Sequence, residues 1–336
     1  MYFPTPQKAA FLAASFLLAS QAQAQCPVGV ADPLNNTNWS FHAEATDYEF
    51  PGSASIGTFS INRIADPRNA GQTILALSGT MTVNAGNRIA RLASTTGKVD
   101  YQCDPGTSII RGGTMQFSDG SQGVLWQFLF SNSNYSEIYL VNEVYLNNLF
   151  LSHVLEGIAV KVENPRPCPA NPLLALDNAT SAPLGWSLRT ESAVYDSTNG
   201  STGIGILNFN YSSSSRSGEG ALTGTTTTNV GGLSFKGTAG NNVYRLAETN
   251  GRYQVYPGCT GGTLSMMVGP YAVQYEFVFA NGDRTLMFLV STLATAPSTG
   301  GNKVISDSKG LPSVNGASYI DTRTRVDIFK GVLRKF

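Results

Sequence analysis

Histidine is almost missing from this 336-residue chain, and charge is scarce. Two histidines occur, His42 and His153, and charged residues make up 13% of the total, against about 25% in an ordinary soluble domain. The 22 basic and 22 acidic side chains cancel, so no net field attracts nucleic acid or an anionic membrane. None of the four cysteines forms a C-x-x-C pair, which excludes the usual zinc-ligand sets. No Gly-x-Ser-x-Gly elbow is present. His42-Ala43-Glu44 has the outline of a zinc deaminase element, but the Pro-Cys-x-x-Cys it requires is missing. Beyond the N-terminus no run reaches the roughly 18 apolar residues of a transmembrane helix. These absences leave no cofactor, no metal, no nucleic-acid partner and no transmembrane span to expect. His42 reads as a strand residue on a polar face, and His153 as a loop residue.

What is abundant is Gly, Ser, Thr and Asn around a 42% hydrophobic content, enough for a packed core. Residues 1–24 read as a signal peptide: Lys8, an apolar stretch from Ala9 to Ser20, then Ala22-Gln23-Ala24 as a small-x-small cleavage site. The expected location is secreted or extracellular, meaning periplasm or cell surface in a bacterium. Sequons at Asn35, Asn38, Asn134, Asn178, Asn199 and Asn210 would carry glycans in a eukaryotic host.

The chain is also written twice. Gln127-Phe128-Leu129-Phe130-Ser131-Asn132 recurs as Glu276-Phe277-Val278-Phe279-Ala280-Asn281, and Tyr139-Leu140-Val141 recurs as Phe288-Leu289-Val290 in the same register. Trp39-Ser40 answers Trp186-Ser187, Arg91-Leu92-Ala93 answers Arg245-Leu246-Ala247, and Gly112-Gly113-Thr114 answers Gly261-Gly262-Thr263. A repeat of about 140 residues is domain-sized, far longer than a propeller blade or solenoid unit. The expected boundaries are a first repeat over 25–163, a linker over 164–167 containing Pro165 and Pro167, a second repeat over 168–310, and a C-terminal extension over 311–336. The duplication selects one of three possible cysteine pairings, Cys26 with Cys103 and Cys168 with Cys259.

Apolar residues alternate in short runs bounded by turn formers, the pattern of antiparallel strands. Trp126, Phe128 and Phe130 share one strand face, as do Tyr275, Phe277 and Phe279. Asn281-Gly282 signals a two-residue hairpin, while Ser131 to Asn134 predicts a looser loop in the first copy. The expected fold is all-β: two tandem antiparallel barrels of about eight strands each, with a β-sandwich as the alternative. With a tryptophan in the first strand (Gly185 preceding Trp186, Thr37-Asn38 preceding Trp39), a meander, and an early-to-middle disulfide, each copy resembles the calycin-type barrels, which include the lipocalins and the allene oxide cyclase barrel. That resemblance implies a fold and leaves activity open.

The candidate ligand-binding residues are the aromatic row Trp126, Phe128, Phe130, Tyr139, Tyr275, Phe277, Phe279 and Phe288, turned into the barrels, with Arg91 and Arg245 as anchors for a carboxylate. Plain core packing and structural arginines are the competing readings. Catalytic residues are unassigned; Glu276 faces away from the row and becomes Gln127 in the other copy. The leading functional expectation is an exported protein binding a small hydrophobic ligand. The alternatives are a cell-surface or matrix interaction protein, and a cofactor-free cyclase or isomerase acting by proximity.

Overall fold

A computed structural model describes residues 32–45, 53–85, 88–103, 109–120, 123–146, 155–177, 185–192, 201–212, 218–230, 242–268, 271–295, 304–306, 312–314 and 329–336. The first copy supplies β1 (Thr37–Ala45), β2 (Ser53–Ala65), β3 (Thr73–Ala85), β4 (Arg88–Cys103), β5 (Ile110–Ser118), β6 (Gly123–Phe130), β7 (Glu137–Leu146) and β8 (Leu155–Lys161). Each pairs antiparallel with its sequence neighbour, and β8 returns to β1 to close the barrel. The second copy supplies β9 (Trp186–Ser192), β10 (Ser201–Asn210), β11 (Gly220–Val230), β12 (Asn242–Val255), β13 (Gly261–Val268), β14 (Tyr271–Phe279) and β15 (Leu286–Thr295). Closure there comes from further along the chain. After a small hairpin, β16 (Val304–Ser306) with β17 (Pro312–Val314), strand β18 (Phe329–Lys335) inserts between β15 and β9. The segment read from sequence as an extension outside the repeat therefore contributes the eighth strand of barrel 2. Two closed eight-stranded antiparallel barrels fit a tandem calycin-like arrangement.

Closure removes sheet edges, and period-two alternation then decides what goes inside. In β1, Trp39, Phe41, Ala43 and Ala45 point inward, while Ser40, His42 and Glu44 point out. Gly57 lies beside Phe41 because a Cβ there would overlap the Phe41 ring. Barrel 2 repeats the scheme with Trp186, Leu188, Leu207, Phe209 and Leu222. A short 3-10 helix, Pro172–Ala175, packs Leu173 into that core, and the Tyr253 hydroxyl donates to its carbonyl at 3.3 Å.

The Cys168–Cys259 disulfide forms as the duplication predicts. Cys103 is also disulfide-bonded; Cys26 lies outside the described residues. The hairpin expectation is corrected in both copies. The β14–β15 connection runs over 280–285, with the Asn281 side chain accepting from the Thr285 and Leu286 amides at 2.9 and 3.0 Å and Arg284, not Gly282, at positive φ. The β6–β7 loop is built alike: Asn132 accepts from the Ser136 amide at 3.0 Å and Tyr135 takes the positive φ. The asparagine side chain therefore makes this turn, and the first loop is no looser. Gly282 serves the linker instead: its carbonyl accepts from the Arg166 amide at 2.9 Å, and a Cβ there would strike the Glu163 carbonyl.

Candidate functional site

The aromatic row divides on inspection of the register. Phe128 pairs with Leu140, and Phe277 with Leu289. Paired residues share a sheet face, so Leu140 and Leu289 turn inward and their neighbours Tyr139 and Phe288 turn out. Trp126 and Phe128 lie in the core of barrel 1; Tyr275, Phe277 and Phe279 lie in that of barrel 2. Phe130 is half-buried at the rim, edge-on to Phe128 and Tyr135 at 5.7 and 4.7 Å between centroids. These rings pack on one another. Phe41 meets Phe117 and Trp126 at 5.8 and 6.0 Å, Phe59 meets Phe117 at 5.6 Å, and Phe209 meets Trp186 and Tyr253 at 6.0 and 5.1 Å. Spacings and tilts of this kind are those of a filled aromatic core. The row thus plugs the end of each barrel where β1 and β9 begin.

The other end is lined differently. In barrel 1 the inward positions near the far ends of β1 to β3 are Ala43, Ala45, Ser53, Ser55 and Val83; in barrel 2 they are Thr190, Gly203, Gly205, Thr226 and Thr228, with Gly331 from β18. On β9–β11 small residues there replace the larger Trp186, Phe209 and Leu222 of the plug, whereas Val83, Phe117, Val124 and Leu155 are buried at the same end of barrel 1. Several of their hydroxyls are buried without a partner: Ser53 and Ser55 in barrel 1, Thr190, Thr226 and Thr228 in barrel 2. Midway along β6 and β14, at equivalent positions, Trp126 Nε1 and Tyr275 Oη are also buried and unpartnered. Burial pushes the Tyr275 phenol well above its ordinary range, so it remains a neutral donor. Buried polar atoms ordinarily find a partner in protein, water or ligand; most of those without one lie in this interior zone, with Trp186 Nε1 at the plug end of barrel 2 a further case. Sequence reading passed over these positions because it sought rings and charges; the inward Ser53 and Ser55 and the run Thr225 to Thr228 were the available signal.

The arginine and carboxylate candidates belong to another place. The barrels pack side by side through the outer faces of β1–β3 and of β14, β15 and β18, around a cluster containing Ala54, Ile56, Val278, Phe288 and Val290. Arg91 points outward from barrel 1 and donates through Nε, at 2.6 Å, and Nη2 to Glu276 of barrel 2. The Thr82 hydroxyl donates to the other oxygen of that carboxylate. Arg91 therefore anchors the neighbouring barrel and does not reach into its own; for Arg245 only the backbone is described, within β12. Burial, then the adjacent Glu276 charge, raises the Tyr256 phenol to about 12. His42 lies against Phe288, the rings tilted with centroids 4.4 Å apart, and burial, with Lys330 nearby, lowers its pKa to about 4. Burial also lowers Lys330, to about 8, although its ammonium pairs with Glu44 and, at 3.3 Å, with Glu191. Beside the linker the two barrels leave a cleft of about 300 Å³, reached by Arg166 and Arg284.

Among the described residues no three His, Cys, Asp or Glu side chains converge as a metal set, and no helix is long and apolar enough to cross a membrane. Of the sequons, Asn38, Asn134 and Asn210 are exposed and Asn35 is half-buried, accepting from the Arg63 amide at 2.8 Å; Asn178 and Asn199, like His153, lie outside the described residues. No family model and no curated protein matches the chain. Among solved structures, a Nitrosomonas europaea protein provisionally described as AttH is similar at 8% identity, over 94% of this chain and 98% of that one. Its TM-score is 0.24, too low to carry an argument about fold or activity.

Proposed function

We propose that the protein is an exported binding protein that takes a small, largely apolar molecule into the small-residue end of its barrels. The supporting observation is the set of unpartnered buried hydroxyls of Thr190, Thr226 and Thr228 in barrel 2, matched by Ser53 and Ser55 in barrel 1. An eight-stranded barrel is just wide enough to be filled by side chains or to hold one small ligand. The plug end is filled by rings. At the other end of barrel 2 the glycines and threonines of β9–β11 supply little volume, and their hydroxyls fit the polar group of an otherwise apolar guest. An apolar body with a single hydroxyl, carbonyl or carboxyl group matches that lining. Export fits the Cys168–Cys259 disulfide, since such bonds persist in oxidising compartments.

Native mass spectrometry of the mature chain from its own host tests this reading. The wild type should carry a small-molecule adduct, and a Thr190→Val/Thr228→Val variant should lose it while keeping its fold. A ligand-free wild type, or an adduct indifferent to both substitutions, would overturn it.

A further inference from the structure

The contact between the barrels joins two different faces, and each barrel also possesses the face it does not use here. Barrel 1 contributes the outer side of β1–β3; barrel 2 contributes that of β14, β15 and β18. The counterparts are β9–β11 of barrel 2 and β6–β8 of barrel 1, of which β8 already reaches the edge of the existing contact through Val160. Strand register sets the equivalences. Ile204 occupies the place of Ile56, both paired in β2- or β10-type strands opposite a threonine, Thr82 or Thr227. Leu129 and Tyr139 occupy the places of Val278 and Phe288.

Both unused faces remain apolar. Ile204 is 63% exposed and Leu129 60%, while Ile56 and Val278 are buried together in the interbarrel cluster. Tyr139 and Val141 are likewise exposed where Phe288 and Val290 are covered. Isolated exposed apolar residues are ordinary; contiguous ones on a sheet face mark an interaction surface. The charges change together. In the chain, His42 lies close to Lys330; at the matching positions the free faces offer Arg189 on barrel 2 and Glu156 on barrel 1. Arg189, which pairs with Glu191 of its own barrel at 3.4 Å, thus stands where it can meet Glu156, whereas the two ion pairs of the existing contact are not kept: Glu44 with Lys330 becomes Glu191 with Glu156, and Glu276 becomes Gln127. Thr82 and Asn84, which reach across the existing contact, have the same residue types at their equivalents Thr227 and Asn229.

We infer that these two faces bind each other between molecules, so that barrel 2 of one chain docks on barrel 1 of the next and repeats the contact already built inside each chain. The partner is a second copy of this chain, and the contact is heterologous. Repetition of such a contact gives a ring where the rotation closes and a filament where it does not. Around each barrel the two faces are centred on β2 and β7, or on β10 and β15, three strands apart in the closed order. Successive units therefore turn, and the array is curved.

Sedimentation velocity on the mature chain, run as a concentration series, tests this. The wild type should form species larger than a dimer that grow with concentration. Ile204→Glu and Leu129→Glu, each at an exposed position where folding is spared, should each be monomeric alone. Mixed in equal amounts they should form dimers and stop there, because each retains one intact face. A wild type that stays monomeric throughout the series overturns the proposal. So does a symmetric dimer that survives in either single variant, or a mixture in which no dimer appears.

Discussion

β6 and β14 carry matching inward residues but face different surroundings on their outer side. Phe128 and Phe277 both point into a ring-filled core. Their outward neighbours Gln127 and Leu129 lie exposed, whereas Glu276 and Val278 are covered by the other barrel. Likewise Tyr139 stands 50% exposed and its equivalent Phe288 only 6%. Inward identity is thus set by closure of a single barrel, which both copies share. Outward identity is set by whether a neighbour is present, and this is where the copies have been free to diverge. The buried carboxylate shows what that freedom allows: Glu276 is tolerable only because Arg91 and Thr82 arrive from barrel 1. Gln127, exposed at the matching position, needs no such support.

The sharpest way to break this comparison is to truncate the matched rings. Phe288→Ala should cost about 3 kcal/mol in denaturant unfolding, at the lower end for a buried phenylalanine because it leaves an interface and not a barrel interior. Tyr139→Ala should stay within about 0.5 kcal/mol. Equal losses would mean that the outer faces are not energetically distinct. Next in size is Arg91→Ala, which strands the Glu276 carboxylate. A cost of about 2 kcal/mol is expected, less than for a fully buried pair because the guanidinium is largely in solvent. Gln127→Ala should be close to neutral. Adding Glu276→Gln to the Arg91 variant should restore part of the loss, since the stranded charge is then gone.

A pH series separates the faces in another way. His42 titrates near 4 in the folded chain against about 6.5 unfolded. The unfolded chain therefore takes up a proton that the folded interface refuses, and stability is lost as pH falls from about 6.5 toward 4. His42→Gln should flatten that window in thermal melts. An unchanged acid profile would show that the ring beside Phe288, Lys330 and Glu44 does not govern it. The smallest effect concerns the linker. Gly282→Ala should cost about 1 kcal/mol by displacing the linker backbone at Glu163, while Ser133→Ala, at the same place in the first copy, should cost nothing measurable by the same melts.

Much of the fold was legible because strands announce themselves by alternation and the duplication confirms each one. The strands, the inward rings of β6 and β14 and the Cys168–Cys259 pair follow from alternation and duplication; closure into barrels does not, since a sandwich satisfies the same alternation. Nor does register between strands follow. Tyr139 and Phe288 were expected inside because the next aromatic after the row looked like its continuation; pairing of Phe128 with Leu140 places them outside. The final strand of barrel 2 escaped because some thirty residues separate it from β15, so no local turn links the two. Arg91 was visible as a duplicated residue, yet its partner Glu276 lies 185 positions away, and no spacing rule connects them. The hydroxyl-lined ends were hidden for a simpler reason: inward serine and threonine carry no periodic signature distinct from a polar strand face.

A high-resolution crystal structure of the protein purified from its own host tests the ligand account most directly. Continuous non-water density within hydrogen-bonding distance of the Thr190 and Thr228 hydroxyls is the predicted result. Ordered waters alone on those hydroxyls, or side chains repacked to fill that end, would contradict it.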